Sequence, residues 1–370
     1  MTAKTPRFTK IAAGLPTTVP FVGPEAQERT RGKLFRARIG ANESCFGPAP
    51  SVIAAMQSAA GAMWKYCDPD NYELKQALAV HLGLSAANVV VGEGIDGLLG
   101  VATRLFVEDG TPVVTSLGAY PTFNFHVAGS GGKLVLVQYE NDKESLGALL
   151  DAVHRENAPL VYLSNPDNPM GSWWKSDEVI EFINALPQTA MLLLDEAYGE
   201  TAPDGILPPA SLIRPNVLRL RTFSKAYGLA GLRCGYAFGD ADVIANFEKM
   251  RNHYGVNKMA QVAGLAALSD QAYLEQVVGR IGAGRQRIAE IATANGLIPL
   301  PSATNFITID CGSDGVFAKK VLDGLLARDV FVRKPMALGL DRCIRIGVGL
   351  DGELNIFAEE LPKALASARA

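Results

Sequence analysis

Cysteine is scarce and scattered. The five residues Cys45, Cys67, Cys234, Cys311 and Cys343 are odd in number and form no C-x-x-C. That spacing argues against a disulfide framework or a zinc site, so no metal ligands are expected, and it fits a reduced, cytoplasmic compartment. Long apolar runs are also missing. None approaches the ~20 residues that span a bilayer. The stretch MTAKTPRFTKIAAGLPTTVPFV is broken by prolines and holds no signal-peptide core. No membrane partner is therefore expected. The net charge is −3 and no Lys/Arg stripe is visible, which excludes the electrostatic footprint of a nucleic-acid binder. Internal repeats and low-complexity linkers are absent as well.

What is present is an ordinary globular composition, 48% hydrophobic, in 370 residues. That length is too great for one compact core and predicts a large domain with a smaller one. Strand-like and helix-like segments alternate along the first two thirds. ANVVVG (87–92) reads as a buried strand, followed by Ile95, Leu98, Leu99 and Ala102 at helical spacing. TPVVTS (111–116), KLVLVQ (133–138), LVYL (160–163), MLLLD (191–195), VLRLRTF (217–223) and GYAF (235–238) complete a set of about seven strands. Continuous apolar runs alternating with helices predict an α/β fold whose mostly parallel sheet is covered on both faces. From about residue 255 the rhythm changes. A long helix over 271–295, a strand at FITID (306–310), a helix over 316–328 and strands at VFVRK (330–334) and CIRIGV (343–348) predict a smaller α+β domain. The expected division is 41–254 for the large domain and 1–40 with 255–370 for the small one.

Open α/β sheets bind ligands at the C-terminal ends of their parallel strands. Those ends carry Gly94-Ile95-Asp96-Gly97, then SNPDNPMG (164–171), then Asp195-Glu196-Ala197-Tyr198, then Ser224-Lys225. Each has a plain structural reading. Gly94-Ile95-Asp96 opens a helix and either holds a phosphate on its free N–H groups or is only a turn with a cap. Asp195 could simply cap the segment that follows it. Asn168-Pro169 could be turn chemistry, and Tyr198 a core residue. Lys225 stands apart, because lysine is seldom buried unless paired or used. A desolvated lysine favours the free amine that attacks carbonyls. Taken together, a lysine able to form a Schiff base and an aspartate able to face a pyridinium nitrogen point to pyridoxal phosphate. Ser224, Arg233 and a helix N-terminus can hold its phosphate. AYPTF (119–123) offers Tyr120 or Phe123 for the ring face.

With these residues in place, the sequence resembles the fold-type I aminotransferases, and among them the histidinol-phosphate aminotransferase family. The resemblance runs from about Asn42 to Gly352. It rests on ANESCFGPAP (41–50), YCDPDNYELKQALA (66–79), SNPDNPMG, DEAY (195–198), SKAYGLAGLRCGY (224–236) with its eight-residue step from Lys225 to Arg233, PSATNF (301–306) and RIGVG (345–349).

It implies a homodimeric transaminase that passes an amino group from an amino acid or amine, through pyridoxal 5′-phosphate, to a 2-oxo acid such as 2-oxoglutarate. By the same resemblance Lys225 would hold the cofactor through an imine and then move the substrate's proton. Asp195 would keep the ring nitrogen protonated, and Asn168 and Tyr198 would bond the ring's phenolic oxygen. Ser224, Arg233 and the amides of Ile95 and Asp96 would bind the phosphate, and Tyr66 would reach it from the neighbouring subunit. Tyr120 would stack on the ring, with Phe123 as runner-up. Arg345 would clamp the substrate α-carboxylate, with Asn42 and Asn168 beside the substrate.

The chain departs from the family pattern at Ile95 and Gly97, where Ala and Glu are more usual, at Cys45-Phe46, and at Asp167 and Met170, where Asn and Thr are frequent. An amino-acid aminotransferase of aromatic or other specificity, a threonine-phosphate decarboxylase and a non-catalytic regulator with the same fold stay open alongside the main reading.

Overall fold

The computed structural model describes residues 6–17 and 22–370. Parts of the N-terminal stretch discussed above, residues 1–5 and 18–21, lie outside the described residues.

Seven strands form the central sheet: β1 (Val89–Gly92), β2 (Pro112–Ser116), β3 (Lys133–Val137), β4 (Leu160–Ser164), β5 (Met191–Asp195), β6 (Val217–Thr222) and β7 (Gly235–Gly239). Their spatial order is β1-β7-β6-β5-β4-β2-β3. Only β7 runs against its neighbours; the pairs β2–β3, β2–β4, β4–β5 and β5–β6 are parallel. Neighbours of β5 show why these strands read as unbroken apolar runs. Leu193 joins Leu218, Leu220 and Ala237 under the helices Gly94–Phe106 and Ala241–Met250. Leu192 and Leu194 face the opposite way, with Val161 and Leu163, under Leu146–Glu156 and Ser176–Ala185. A strand buried on both faces has no polar alternation to display.

The expected smaller α+β region is a three-stranded antiparallel sheet of Ile298–Pro299, β8 (Phe306–Asp310) and β9 (Cys343–Gly347). Helices Gly315–Ala327 and Asp351–Arg369 pack on each other and share its core with Ile307, Ile309, Ile344 and Ile346. The expected strand at 330–334 is shorter. Val330–Phe331 pairs in parallel with Ala37–Arg38, and beyond it only Arg333 bridges, to Arg345. The chain running on from Arg38 then reaches the C-terminal edge of the large sheet and delivers Asn42, at φ 59°, to the site. Among the described residues no helix is long and apolar enough to cross a membrane.

Candidate active site

The C-terminal ends of β4, β5 and β6, the N-terminus of the helix Gly94–Phe106, and Arg345 from β9 surround one cavity of about 360 Å³. Asp195 closes β5 at its floor. Its Oδ2 accepts a 2.6 Å hydrogen bond from the Tyr162 hydroxyl and its Oδ1 accepts one from the Ala197 amide at 2.9 Å. Burial raises this carboxyl to about 6, against the pull of both donors. The next residue, Glu196, is fully buried and turns away from the cavity. It accepts from Arg219 Nε and Arg221 Nε, each at 2.9 Å, while Arg219 also reaches the carbonyls of Pro208 and Pro209. This ionic fork joins the end of β5 to β6 and so fixes the backbone from which Asp195 projects.

Lys225 follows β6 and is half-buried, where the sequence predicts burial. Its Nζ donates to the Asn42 carbonyl at 3.3 Å and lies 5.4 Å from the centre of the Tyr198 ring. Asn42 Nδ2 donates to the Tyr198 hydroxyl at 3.1 Å, and Asn305 Nδ2 donates to the Asn42 carbonyl at 3.0 Å. The amine, the phenol and the Asn42 turn therefore form one hydrogen-bonded unit.

At the other end, Arg233 Nη1 donates to Ser224 Oγ and its Nη2 to Asp96 Oδ2, both at 3.3 Å. Tyr120 donates to the other oxygen of Asp96 at 2.7 Å. Arg233 holds a left-handed backbone, φ 55°, which a non-glycine residue keeps only when its surroundings enforce it. Gly94, at φ +73°, lets the guanidinium cross the helix start: a Cβ there would fall 2.5 Å from Arg233 Nη2. Free helix N–H groups, a serine and an arginine make a receptor for a dianionic phosphate.

Arg345 enters from β9, opposite Thr308. Its Nη1 donates to Asn168 Oδ1 and its Nη2 reaches the Gly40 carbonyl at 3.5 Å, while Nε is buried with no partner among the described residues. Burial lowers its guanidinium to about 10, which leaves it cationic at neutral pH.

The expected site residues Ile95, Asp96, Asn42, Asn168, Asp195, Tyr198, Ser224, Lys225, Arg233, Arg345 and Tyr120 all line this cavity. Phe123 does not. It is fully buried and stacks on Tyr162, ring centres 4.6 Å apart, because it lies inside the first turn of the helix Pro121–Gly129 while Tyr120 precedes it. Tyr66 stays outside the cavity within one chain, 82% exposed and 5.1 Å from the Tyr254 ring. Sequence reasoning missed Tyr162, Asn305 and the Glu196 fork. Tyr162 alone left a trace, as the one polar-tipped residue in LVYL.

The family model for aminotransferase class I and II matches residues 38–361. A curated relative, histidinol-phosphate aminotransferase 1 of Thiobacillus denitrificans, is 35% identical over 342 residues, covering 90% of this chain and 86% of its own length. The histidinol-phosphate aminotransferase of Anaeromyxobacter sp. is 35% identical over 349 residues, 92% of this chain and 94% of its own. Among solved structures, the Sinorhizobium meliloti histidinol-phosphate aminotransferase in complex with pyridoxal 5′-phosphate superposes with a TM-score of 0.96 at 56% identity, covering 99% of both chains. The Rhizobium meliloti aspartate aminotransferase, at 21% identity and a TM-score of 0.82, covers 98% of this chain and 100% of its own and shares the fold. The chain therefore belongs to the class I and II aminotransferases, pyridoxal phosphate-dependent transaminases, and within them to the histidinol-phosphate aminotransferase family.

Proposed function

We propose that this chain transfers the amino group of histidinol phosphate to 2-oxoglutarate, with glutamate as the other product. The observation that carries the reading is the opening of Lys225, Asp195 and Arg345 onto one cavity. The residues present fit the cofactor. Among the described residues the buried Asp195 carboxylate has no cationic partner in contact, which a ring N–H⁺ would provide, and Arg345 Nε and Asn42 Oδ1 are buried polar atoms without partners.

When bound, pyridoxal phosphate supplies the aldehyde that captures the amine and a protonated ring that accepts the electron pair released at Cα. The chain's own residues do the rest. Lys225 would anchor the cofactor, and its amine, once free, would be placed to hold and move the proton of the substrate Cα. Asp195, held by Tyr162 and Ala197, keeps the ring nitrogen protonated. Tyr198 and Asn168 would orient the ring through its phenolic oxygen, and Tyr120 would cover its face. Ser224, Arg233 and the Ile95 and Asp96 amides take the phosphate. Arg345 binds the anionic group next to the reacting carbon, with Asn42 and Asn168 beside it. In 2-oxoglutarate that group is a carboxylate. In histidinol phosphate a phosphate ester occupies the corresponding side, so one guanidinium serves both half-reactions. The exposed Tyr66 fits a residue offered to the phosphate site of a second subunit in a homodimer. Five free cysteines suit a cytoplasmic setting.

The test is a spectroscopic donor screen on the purified yellow holoenzyme. Histidinol phosphate should bleach the bound-cofactor band, and 2-oxoglutarate should restore it. Equal bleaching by phenylalanine or aspartate would make this an amino-acid aminotransferase instead. Release of carbon dioxide from a phosphorylated amino acid would mark a decarboxylase, and no bleaching by any donor a non-catalytic protein.

A further inference from the structure

An acid stands directly before the helix whose first amides are assigned to the cofactor phosphate. Glu93 is the N-cap residue of Gly94–Phe106 and is half-buried. A carboxylate in that position is drawn to the first N–H groups of its own helix and to the positive end of the helix dipole, the features that also attract a phosphate. Yet among the described residues no side chain caps this helix. The other acid of the first turn, Asp96, is occupied by the Tyr120 hydroxyl at 2.7 Å and by Arg233 Nη2 at 3.3 Å. Glu93 instead runs along the flank of the helix and out to a neighbouring turn.

Two glycines and an asparagine make its seat. A Cβ on Gly97 would fall 3.0 Å from both Cβ and Oε2 of Glu93. A Cβ on Gly255 would overlap Oε1, so the carboxylate fills the place where any other side chain would begin. Gly255 does not hold a left-handed backbone, so glycine is needed there for space alone. Oε1 also accepts from Asn252 Nδ2 at 3.2 Å, the one hydrogen bond of this carboxylate among the described residues. The turn itself has other moorings. The Gly255 amide closes onto the Asn252 carbonyl at 3.2 Å, Arg251 Nη2 donates to the Pro69 carbonyl at 2.6 Å, and Asn257 Nδ2 donates to the Leu232 carbonyl at 3.1 Å. The turn therefore holds the acid, and not the acid the turn.

We propose that the Asn252–Gly255 turn keeps the Glu93 carboxylate off the start of its helix and so leaves the amides of Ile95 and Asp96 to the cofactor phosphate. Asn252 and Gly255 are positioning residues that act through Glu93. Once released, Glu93 competes with the phosphate for the same N–H groups and puts a negative charge beside it. The inference rests on the reading of Ile95, Asp96, Ser224 and Arg233 as the phosphate cup.

Fluorescence titration of the full-length apoprotein with pyridoxal 5′-phosphate and, separately, with pyridoxal tests this. The ratio of the two affinities reports the phosphate's share of binding. N252A frees Glu93 and should lower that ratio by roughly 2- to 30-fold, the worth of a helix cap. G255A evicts the carboxylate and should do the same; it decides the matter if N252A does not fold. E93A should keep the parent's ratio or exceed it, and E93A/N252A should regain it. A ratio as low in E93A as in N252A would mean that the contact only braces the turn, and overturns the proposal. So does a loss that persists in E93A/N252A, which would then run through Tyr254 and the Tyr66 ring packed on it. A parent that binds both compounds equally overturns the phosphate cup and this proposal with it, whereas a high ratio unmoved by N252A and G255A overturns only this one.

Discussion

The Tyr162 hydroxyl donates to Asp195 Oδ2 at 2.6 Å, from a ring buried between β4 and Phe123. A hydrogen bond to a carboxylate favours its charged form, which is the form that keeps a pyridine nitrogen protonated. Removing only the hydroxyl leaves the ring packing intact and Asp195 short of one donor, a loss of about 1–3 kcal/mol. Tyr162→Phe should therefore push the Asp195 carboxyl further above about 6 and weaken cofactor binding. Fluorescence titration of the apoprotein with pyridoxal phosphate reads this; an unchanged dissociation constant would show that Tyr162 is only core.

Asp195 also gives the apoprotein a pH signature. Its folded value of about 6 lies above the roughly 4 of an unfolded aspartate, so the native state binds the proton more tightly than the unfolded chain. Apoprotein stability should then fall as pH rises between about 4 and about 6, by about 3 kcal/mol from this group alone. Asp167, Glu144 and Glu200, also raised by burial, act in the same direction. Asp195→Asn removes one contribution. The variant apoprotein should unfold at a higher temperature than the parent at pH 8 and show a shallower decline below it, while losing cofactor affinity. Parallel melting curves for the two proteins across this range would contradict the burial argument.

Among the described residues Lys225 makes one hydrogen bond, to the Asn42 carbonyl. Lys225→Ala should consequently fold like the parent and unfold at nearly the same temperature. Its turnover should drop by at least the ~10²–10⁴-fold of lost acid–base catalysis, beyond the loss of the covalent anchor. Borohydride treatment of the parent followed by peptide mass analysis should place the trapped cofactor on residue 225. Trapping elsewhere, or near-normal turnover in the variant, would remove Lys225 from the reaction.

How much of this was readable in advance follows from the range of each interaction. The seven strands announced themselves because both faces of β4, β5 and β6 are covered, which makes their apolar runs continuous. Their C-terminal ends pointed to Asn168, Asp195, Ser224 and Lys225, since a parallel sheet brings those ends together whatever the helices between them do. Side-chain direction was not legible. Tyr120 and Phe123 differ only in their place on the helix start, and one faces the cavity while the other supports Tyr162. Partners far apart in sequence were also hidden. Nothing local to LVYL says that its tyrosine meets an aspartate 33 residues later. Nothing near Glu144 announces Ser116 and Ser164, which converge on it only once the strands are laid side by side. The strand expected over 330–334 stopped at Phe331 because Arg333 turns to bridge Arg345, a small-sheet pairing absent from the local pattern.

Arg345 offers a substitution whose failure has a definite shape. Its planar fork can take two oxygens of one anion, and its Nε is buried without a partner among the described residues. Lysine in its place keeps a charge but presents one point donor, losing a charge-assisted bond of about 1.5–3 kcal/mol. Arg345→Lys should raise KM for 2-oxoglutarate by about 10- to 100-fold, with a smaller effect on kcat where the reacting carbon is still held through the cofactor. The burial that brings the guanidinium down to about 10 would lower an ammonium as well, and lysine starts from a lower ordinary value. The variant should therefore lose its remaining anion affinity as pH rises, at a lower pH than the arginine enzyme. Steady-state kinetics over the pH range test both statements. A KM unchanged by the substitution would mean that the anionic group is bound elsewhere in the cavity.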